Sequence, residues 1–441
     1  MSLNSAYIDG FFGDNGKGNV LSAILPQAVR LASPTLGERE EKPILVYSGL
    51  GGNNAANSYF IEGQKYVLRQ LPGGLLVPQT FSQMGEEKYL RPRELKTEIE
   101  GLQARGIAVS PETLGIAPNA HITLDHYIQE DQKNLHTRGE HCSTGNGILQ
   151  TAREKYARKG LRFIEFLDNK LMAEILQETI FNDSFDPFRV QKAKEMAESY
   201  AAEREFLSPF VKQDHLVFKE QGYQYKLAVN AHGAGLDINS GLYPGVTSSH
   251  PAKVPRWVDT IFGIFKLYVS SVGGRDRAFV SRMPEELEQK LVDLWGERGT
   301  GTGRARKLGW FDAVMARYSI DAAGIGYLIG TCGDRMSDLH QLNVKPEIVV
   351  AYEIDGKKYG QWQESFHRRD ILRKAKPITK RFESWKSFTE ADGKTITENA
   401  QKYLNALESE LSRPFIMLMN GSRGEQDAII KTHPLERGLY Y

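Results

Sequence analysis

A glycine-punctuated loop, residues 10–18, separates a short apolar stretch, Ala6-Tyr7-Ile8-Asp9, from a segment in which Val20, Leu21, Ile24, Leu25 and Val29 recur at helical spacing. A second apolar stretch, Ile44-Leu45-Val46-Tyr47, follows and ends in Ser48-Gly49-Leu50-Gly51-Gly52. Strand, glycine loop, helix, strand is the pattern of an α/β domain built on a mainly parallel sheet. No other feature restricts the fold as much. Further strands are expected at 227–230, 326–330, 348–353 and 415–419, with Asp355-Gly356 as a hairpin turn after the third. Helices are expected near 97–105, 187–204, 284–295, 310–322 and 398–411. No linker divides the chain, so residues 1–441 read as one domain: a mainly parallel central sheet with flanking helices and helical insertions.

Composition removes several functional classes. Lysine and arginine number 56 against 55 aspartates and glutamates, a formal charge of +1. Such a balance gives no electrostatic case for nucleic acid or an anionic membrane as the main partner. No window approaches the roughly 18–20 apolar residues needed to cross a bilayer. Two cysteines, Cys142 and Cys332, are too few for a disulfide framework. A cytoplasmic enzyme is the expectation.

Four segments carry candidate chemistry. In Gly13-Asp14-Asn15-Gly16-Lys17-Gly18 the glycines let backbone amides close around an anion, and Lys17 adds a point charge at a helix N-terminus. The spacing is not that of the common P-loop, and a tight turn with a solvated lysine remains an alternative. Gly51-Gly52-Asn53-Asn54-Ala55-Ala56-Asn57-Ser58 suits a ligand cradle or a turn tolerant of left-handed backbone. Ser143-Thr144-Gly145-Asn146-Gly147 suits a phosphate, and the basic run from Arg153 to Arg162 behind it reads equally as a solvated helix face. Thr300-Gly301-Thr302-Gly303-Arg304-Ala305-Arg306 sets two arginines beside hydroxyls, suited to a carboxylate or phosphate.

In this order, and with Asp237 to Ser249, Thr302 to Val314 and Val350 to Gly356, these segments resemble the adenylosuccinate synthetase family across nearly the whole chain. The resemblance implies a GTPase-related synthetase fold with a P-loop-like phosphate loop. It also implies a two-step ligation: an aspartate takes the N1 proton of a 6-oxopurine, and the C6 oxygen attacks the γ-phosphate of GTP (or ATP). The amine of aspartate then displaces the 6-phosphoryl group. By that resemblance Asp14 is the general base and, with the backbone carbonyl of Ala56, a Mg²⁺ ligand. Lys17 offsets the developing charge. Asn54, Ser143, Thr144 and Thr247 hold the purine monophosphate, and Arg158 is donated to it across a homodimer interface. Thr302 and Arg304 grip the carboxylates of the amino acid. Gly13, Asn15, Gly16, Lys17, Gly18, Asn57, Ser58, Arg306, Cys332, Asp334, Asn420 and Gly421 fall at triphosphate positions, with Asp334 facing the guanine.

The departures are informative. Asn57 stands where the family has its general-acid histidine, and asparagine supplies no proton at neutral pH. His232 stands where a glutamine touches the same purine oxygen, so the acid role is expected to have moved there. Cys332 replaces a lysine that lies along the guanine. Together these leave open a paralogue acting on GMP, dGMP or another amine donor, and a nucleotide-binding protein without catalysis.

Overall fold

The computed structural model describes residues 3–32, 44–135, 145–181, 187–219, 223–272, 279–299, 303–432 and 434–435. Its centre is a ten-stranded sheet. The main path is formed by β1 (Leu3–Asp9), β2 (Ile44–Gly51), β3 (Thr80–Leu90), β4 (Leu114–Ile116), β5 (Tyr225–Gly233), β6 (Thr260–Lys266), β7 (Tyr327–Thr331), β8 (Phe415–Met419) and β9 (Ala428–Ile430). Across the sheet they run β9-β8-β7-β6-β1-β5-β2-β3-β4, and His121–Ile122 pairs with β3. All pairs are parallel except β8 with β9.

Parallel strands covered on both faces read as continuous apolar runs, and Phe415–Met419 is buried at all 5 positions. Successive side chains enter opposite cores. Ile264, Ile329 and Met419 join one cluster, while Phe265, Leu328 and Leu418 join the other. The chain therefore builds two hydrophobic layers around one sheet. Among the described residues no helix is long and apolar enough to cross a membrane.

β1 lies in the middle of the sheet, between β5 and β6. Its loop opens at the C-terminal edge, where open parallel sheets bind ligands. From that loop springs α1 (Lys17–Ala32), whose buried face includes Val20, Leu21, Ile24 and Leu25.

Three expected helices differ from the structure, and the one near 97–105 runs Pro92–Gln103, its start set by a proline in the first turn. The segment 187–204 forms two helices, Pro187–Glu198 and Ala201–Leu207. The break falls at Tyr200, which turns inward to take a hydrogen bond from the Asp125 amide (3.0 Å) and to meet Phe166 edge-on. The helix expected from residue 310 begins at Ala313, because the Asp312 carboxylate caps it by accepting from the Met315 amide (3.0 Å). Asp355 and Gly356 turn the chain between antiparallel strands Glu347–Ile354 and Lys357–Tyr359, as expected.

Candidate active site

Three non-glycine residues adopt left-handed backbone at the ends of central strands: Asp14 (φ 55°), His232 (φ 64°) and Cys332 (φ 62°). Such conformations are uncommon and concentrate at functional sites. They follow β1, end β5 and follow β7, so the sheet gathers them at one edge.

The Gly13–Gly18 loop is anchored from below. Lys17 is buried and donates to the Asp9 carboxylate (2.5 Å) and to the His232 carbonyl (2.6 Å). Asp9, fully buried at the end of β1, also accepts from the Asn15 amide (3.2 Å). Burial pushes its carboxyl up, and the Lys17 charge opposes that. Asn15 donates to the Ile264 carbonyl (3.0 Å) and accepts from the Thr331 hydroxyl (2.7 Å) on its backbone oxygen. Gly16 takes φ 94°, which a side chain would strain. A Cβ on Gly18 would sit 2.2 Å from the Ser58 carbonyl oxygen. That close approach lets the hairpin Asn57–Ile61 and Gln64–Leu68 dock on α1, bringing Asn57 and Ser58 to the loop.

Asp14 stands at the surface end of this loop, its side chain 37% exposed. Its carboxylate accepts from Arg306 Nη2 (2.6 Å), and Arg306 also binds the buried Glu297. Arg304, two residues away, is exposed. Thr302 lies outside the described residues, as do Ser143 and Thr144.

In the 51–58 segment, the Asn54 side-chain oxygen is buried without a hydrogen-bond partner, an acceptor waiting for a donor. Asn53 beside it donates to Glu94 (2.9 Å). Gly52 packs on Ile148, the first residue of α2 (Ile148–Tyr156). The Thr247 amide donates to the Leu236 carbonyl (2.8 Å), and the Tyr89 hydroxyl donates to the Ser248 carbonyl (3.3 Å). Arg158, beyond the end of α2, lines a surface cavity with Lys159, Glu165 and Glu178, and none of the residues above shares that cavity.

His232 is partly buried, and burial with the neighbouring Lys17 charge lowers its pKa to about 4, Asp14 pulling the other way. The imidazole is therefore neutral at pH 7 in the free protein. Its folded pKa lies below the usual 6.5, so between pH 6.5 and 4 the unfolded chain binds the extra proton. Stability is expected to fall as pH drops through that window, and His232→Gln should flatten the curve of melting temperature against pH there. An unchanged curve would place the titration elsewhere.

At the end of β7, Cys332 precedes the short helix α3 (Gly333–Met336), and Asp334 sits exposed in its first turn. Asn420 donates to the Thr389 hydroxyl (3.3 Å), and the Gly421 carbonyl accepts from Asn19 on α1 (2.6 Å). The 420–421 turn thus reaches the start of α1.

Asp9, Glu297, Lys266, Tyr268 and Arg335 escaped the sequence reading. Only Glu297 carried a signal, an acidic residue at the base of the glycine-rich loop.

A mainly parallel sheet with a glycine loop after its central strand, and a carboxylate held by an arginine from a second glycine-rich loop, is the frame of an α/β nucleotide-binding enzyme. Residues 8–428 match the family model for adenylosuccinate synthetase. The chain belongs to that family, NTP-dependent ligases that form a carbon–nitrogen bond. The adenylosuccinate synthetase of Caldanaerobacter subterraneus subsp. tengcongensis is 29% identical over 444 residues, covering 95% of this chain and 97% of the relative. That of Synechococcus elongatus is 29% identical over 460 residues, covering 99% and 98%. Among solved structures, fully ligated adenylosuccinate synthetase from Plasmodium falciparum matches with a TM-score of 0.78 at 23% identity, over 97% of this chain and 100% of that one. The succinoaminodeoxyadenylate synthetase of cyanophage S-2L, bound to dGMP and to dATP as energy donor, matches with a TM-score of 0.56 at 15% identity, over 100% and 99%.

Proposed function

We propose that the protein condenses L-aspartate, or a close analogue, with an IMP-like 6-oxopurine nucleoside monophosphate, through a 6-phosphoryl intermediate made at the expense of GTP (or ATP). The observation that carries this reading is the Asp14 carboxylate, fixed by Arg306 at the mouth of the Lys17 loop. Its loop packs on Ser58 of the 51–58 segment and accepts from Thr331, one residue before Cys332, which supports a purine site on the first side and a triphosphate site on the second.

In this reading Asp14 removes the N1 proton, and the electron pair moves through the ring to the C6 oxygen. That oxygen attacks the γ-phosphate, and the nucleoside diphosphate leaves. Lys17 has spent two of its three N–H donors on Asp9 and His232, and the third serves the transferred phosphate. The amino acid's amine then displaces phosphate from C6, with Thr302 and Arg304 holding its carboxylates. His232 takes the proton-donating role that Asn57 cannot fill. Neutral in the free protein, it gains its proton as the triphosphate's charge arrives beside it. Asn54, Ser143, Thr144 and Thr247 bind the monophosphate, with Arg158 supplied by the partner of a homodimer. Asn57, Ser58, Cys332, Asp334, Asn420 and Gly421 line the triphosphate path.

Magnesium fits the donors present. Mg²⁺ favours one or two carboxylates plus substrate phosphates, and the Asp14 carboxylate and Ala56 carbonyl would hold it. Bound there, it would offset charge on the phosphates.

A panel of IMP, GMP and dGMP with GTP or ATP, Mg²⁺ and L-aspartate tests the reading by phosphate release. Release that requires IMP and aspartate together is expected. Release only with GMP or dGMP would move the substrate to a 2-aminopurine, and none under any combination would overturn catalysis itself.

A further inference from the structure

Glu297 is fully buried, and no step above uses it. Its Oε2 accepts from Arg306 Nη1, and its backbone oxygen accepts from the Arg306 amide (2.8 Å). Its Oε1 accepts from Lys266 Nζ (2.6 Å), the Tyr268 hydroxyl and Arg335 Nη1. Burial pushes the carboxyl up, but Lys266, Arg306 and Arg335 outweigh it and hold Glu297 ionised, well below the usual carboxylate range.

The consequence lies one residue further out. Arg306 spans two carboxylates with one rigid guanidinium, Nη1 on Glu297 and Nη2 on Asp14. Because the fork is planar, Nη2 cannot swing off Asp14 without disturbing Nη1 on Glu297. Glu297 in turn is held by donors from the end of β6, from Tyr268 and from α3. Asp14 itself is the exposed residue of an otherwise largely buried loop, on left-handed backbone. Its aim therefore depends on a chain of contacts that ends in the core.

We infer that Glu297 is a positioning residue that sets the orientation of Asp14 through Arg306. Arg335, which follows Asp334 directly, ties the same carboxylate to the segment proposed to read the triphosphate base. The inference rests on Asp14 as the base, and the test separates the two ideas.

The full-length protein is assayed at saturating substrates, with whichever of IMP, GMP or dGMP the panel shows to be turned over. Glu297→Gln, Asp14→Asn and the double variant are compared for kcat, for KM of the triphosphate and for thermal melting. Misplacing a reacting group by about an ångström costs on the order of 100-fold, so Glu297→Gln should lower kcat by about 10–100-fold. In the Asp14→Asn background it should lower the residual rate no further, because its route to the reaction is gone. A loss that multiplies with Asp14→Asn would make Glu297 a general structural residue and overturn the inference, as would full kcat in the single variant. If Glu297→Gln does not fold, Arg306→Lys carries the same cycle: it keeps the charge but loses the fork, and the same non-additivity is expected. If Asp14→Asn leaves kcat unchanged, it is the assignment of the base that fails.

Discussion

Asp14→Asn is expected to lower kcat by about 10²–10⁴-fold, the usual contribution of a positioned general base, while the fold survives. Asparagine matches aspartate in shape and is among the residues that tolerate left-handed backbone, here φ 55°. The side chain is 37% exposed, so its ion pair with Arg306 is screened and worth about 1 kcal/mol or less. Arg306 keeps its bond to Glu297 and is not left as a lone buried charge. The amide still hydrogen-bonds a purine but cannot accept the N1 proton, so KM for the monophosphate should change far less than kcat. Steady-state kinetics beside a melting curve check this. Unchanged turnover in a folded Asp14→Asn protein would remove Asp14 from the chemistry.

How far the fold and site can be read from the sequence follows from how local each feature is. The β1–loop–α1 unit is legible because strand, turn and helix lie within one short segment and each carries its own periodicity. Phe415–Met419 is legible as a buried strand because both faces must be apolar. The break at Tyr200 is not, since the reason for it, the Asp125 amide, is 75 residues away. The hairpin that starts at Asn57 is not legible in Gly51–Ser58, whose glycines and asparagines have little strand propensity, and docking on α1 decides its form. In the site, glycine-rich loops announce themselves by composition, but their supports do not. Glu297 meets Lys266 at a separation of 31 residues and Arg335 at 38. A buried ion cluster assembled from three separate elements leaves no spacing to find. The same is true of Asp9, which reads as the last residue of a strand until Lys17 folds back onto it.

That pair yields the second large effect. Lys17→Met should both destabilise the protein and abolish turnover, for separable reasons. Lys17 and Asp9 have side-chain exposures of 2% and 0%. Breaking a buried pair by removing one partner costs about 3–5 kcal/mol, because the remaining charge is left uncompensated. Methionine fills the space of the lysine stem, so the loss is electrostatic rather than a cavity. Asp9 then has only the Asn15 amide at its Oδ2, and burial already pushes its pKa up. A carboxyl whose folded pKa lies above its unfolded value is stabilising at low pH, and that stability is lost as pH rises through the folded pKa. The deficit of Lys17→Met should therefore shrink toward pH 4 and be full at pH 7. Adding Asp9→Asn removes the stranded charge, so the double variant should recover most of the melting temperature, a strong coupling between two contacting residues. It should recover none of the turnover, because the cation proposed to serve the transferred phosphate is still missing. A double variant as unstable as Lys17→Met would mean that the lysine holds the loop through the His232 carbonyl rather than by neutralising Asp9.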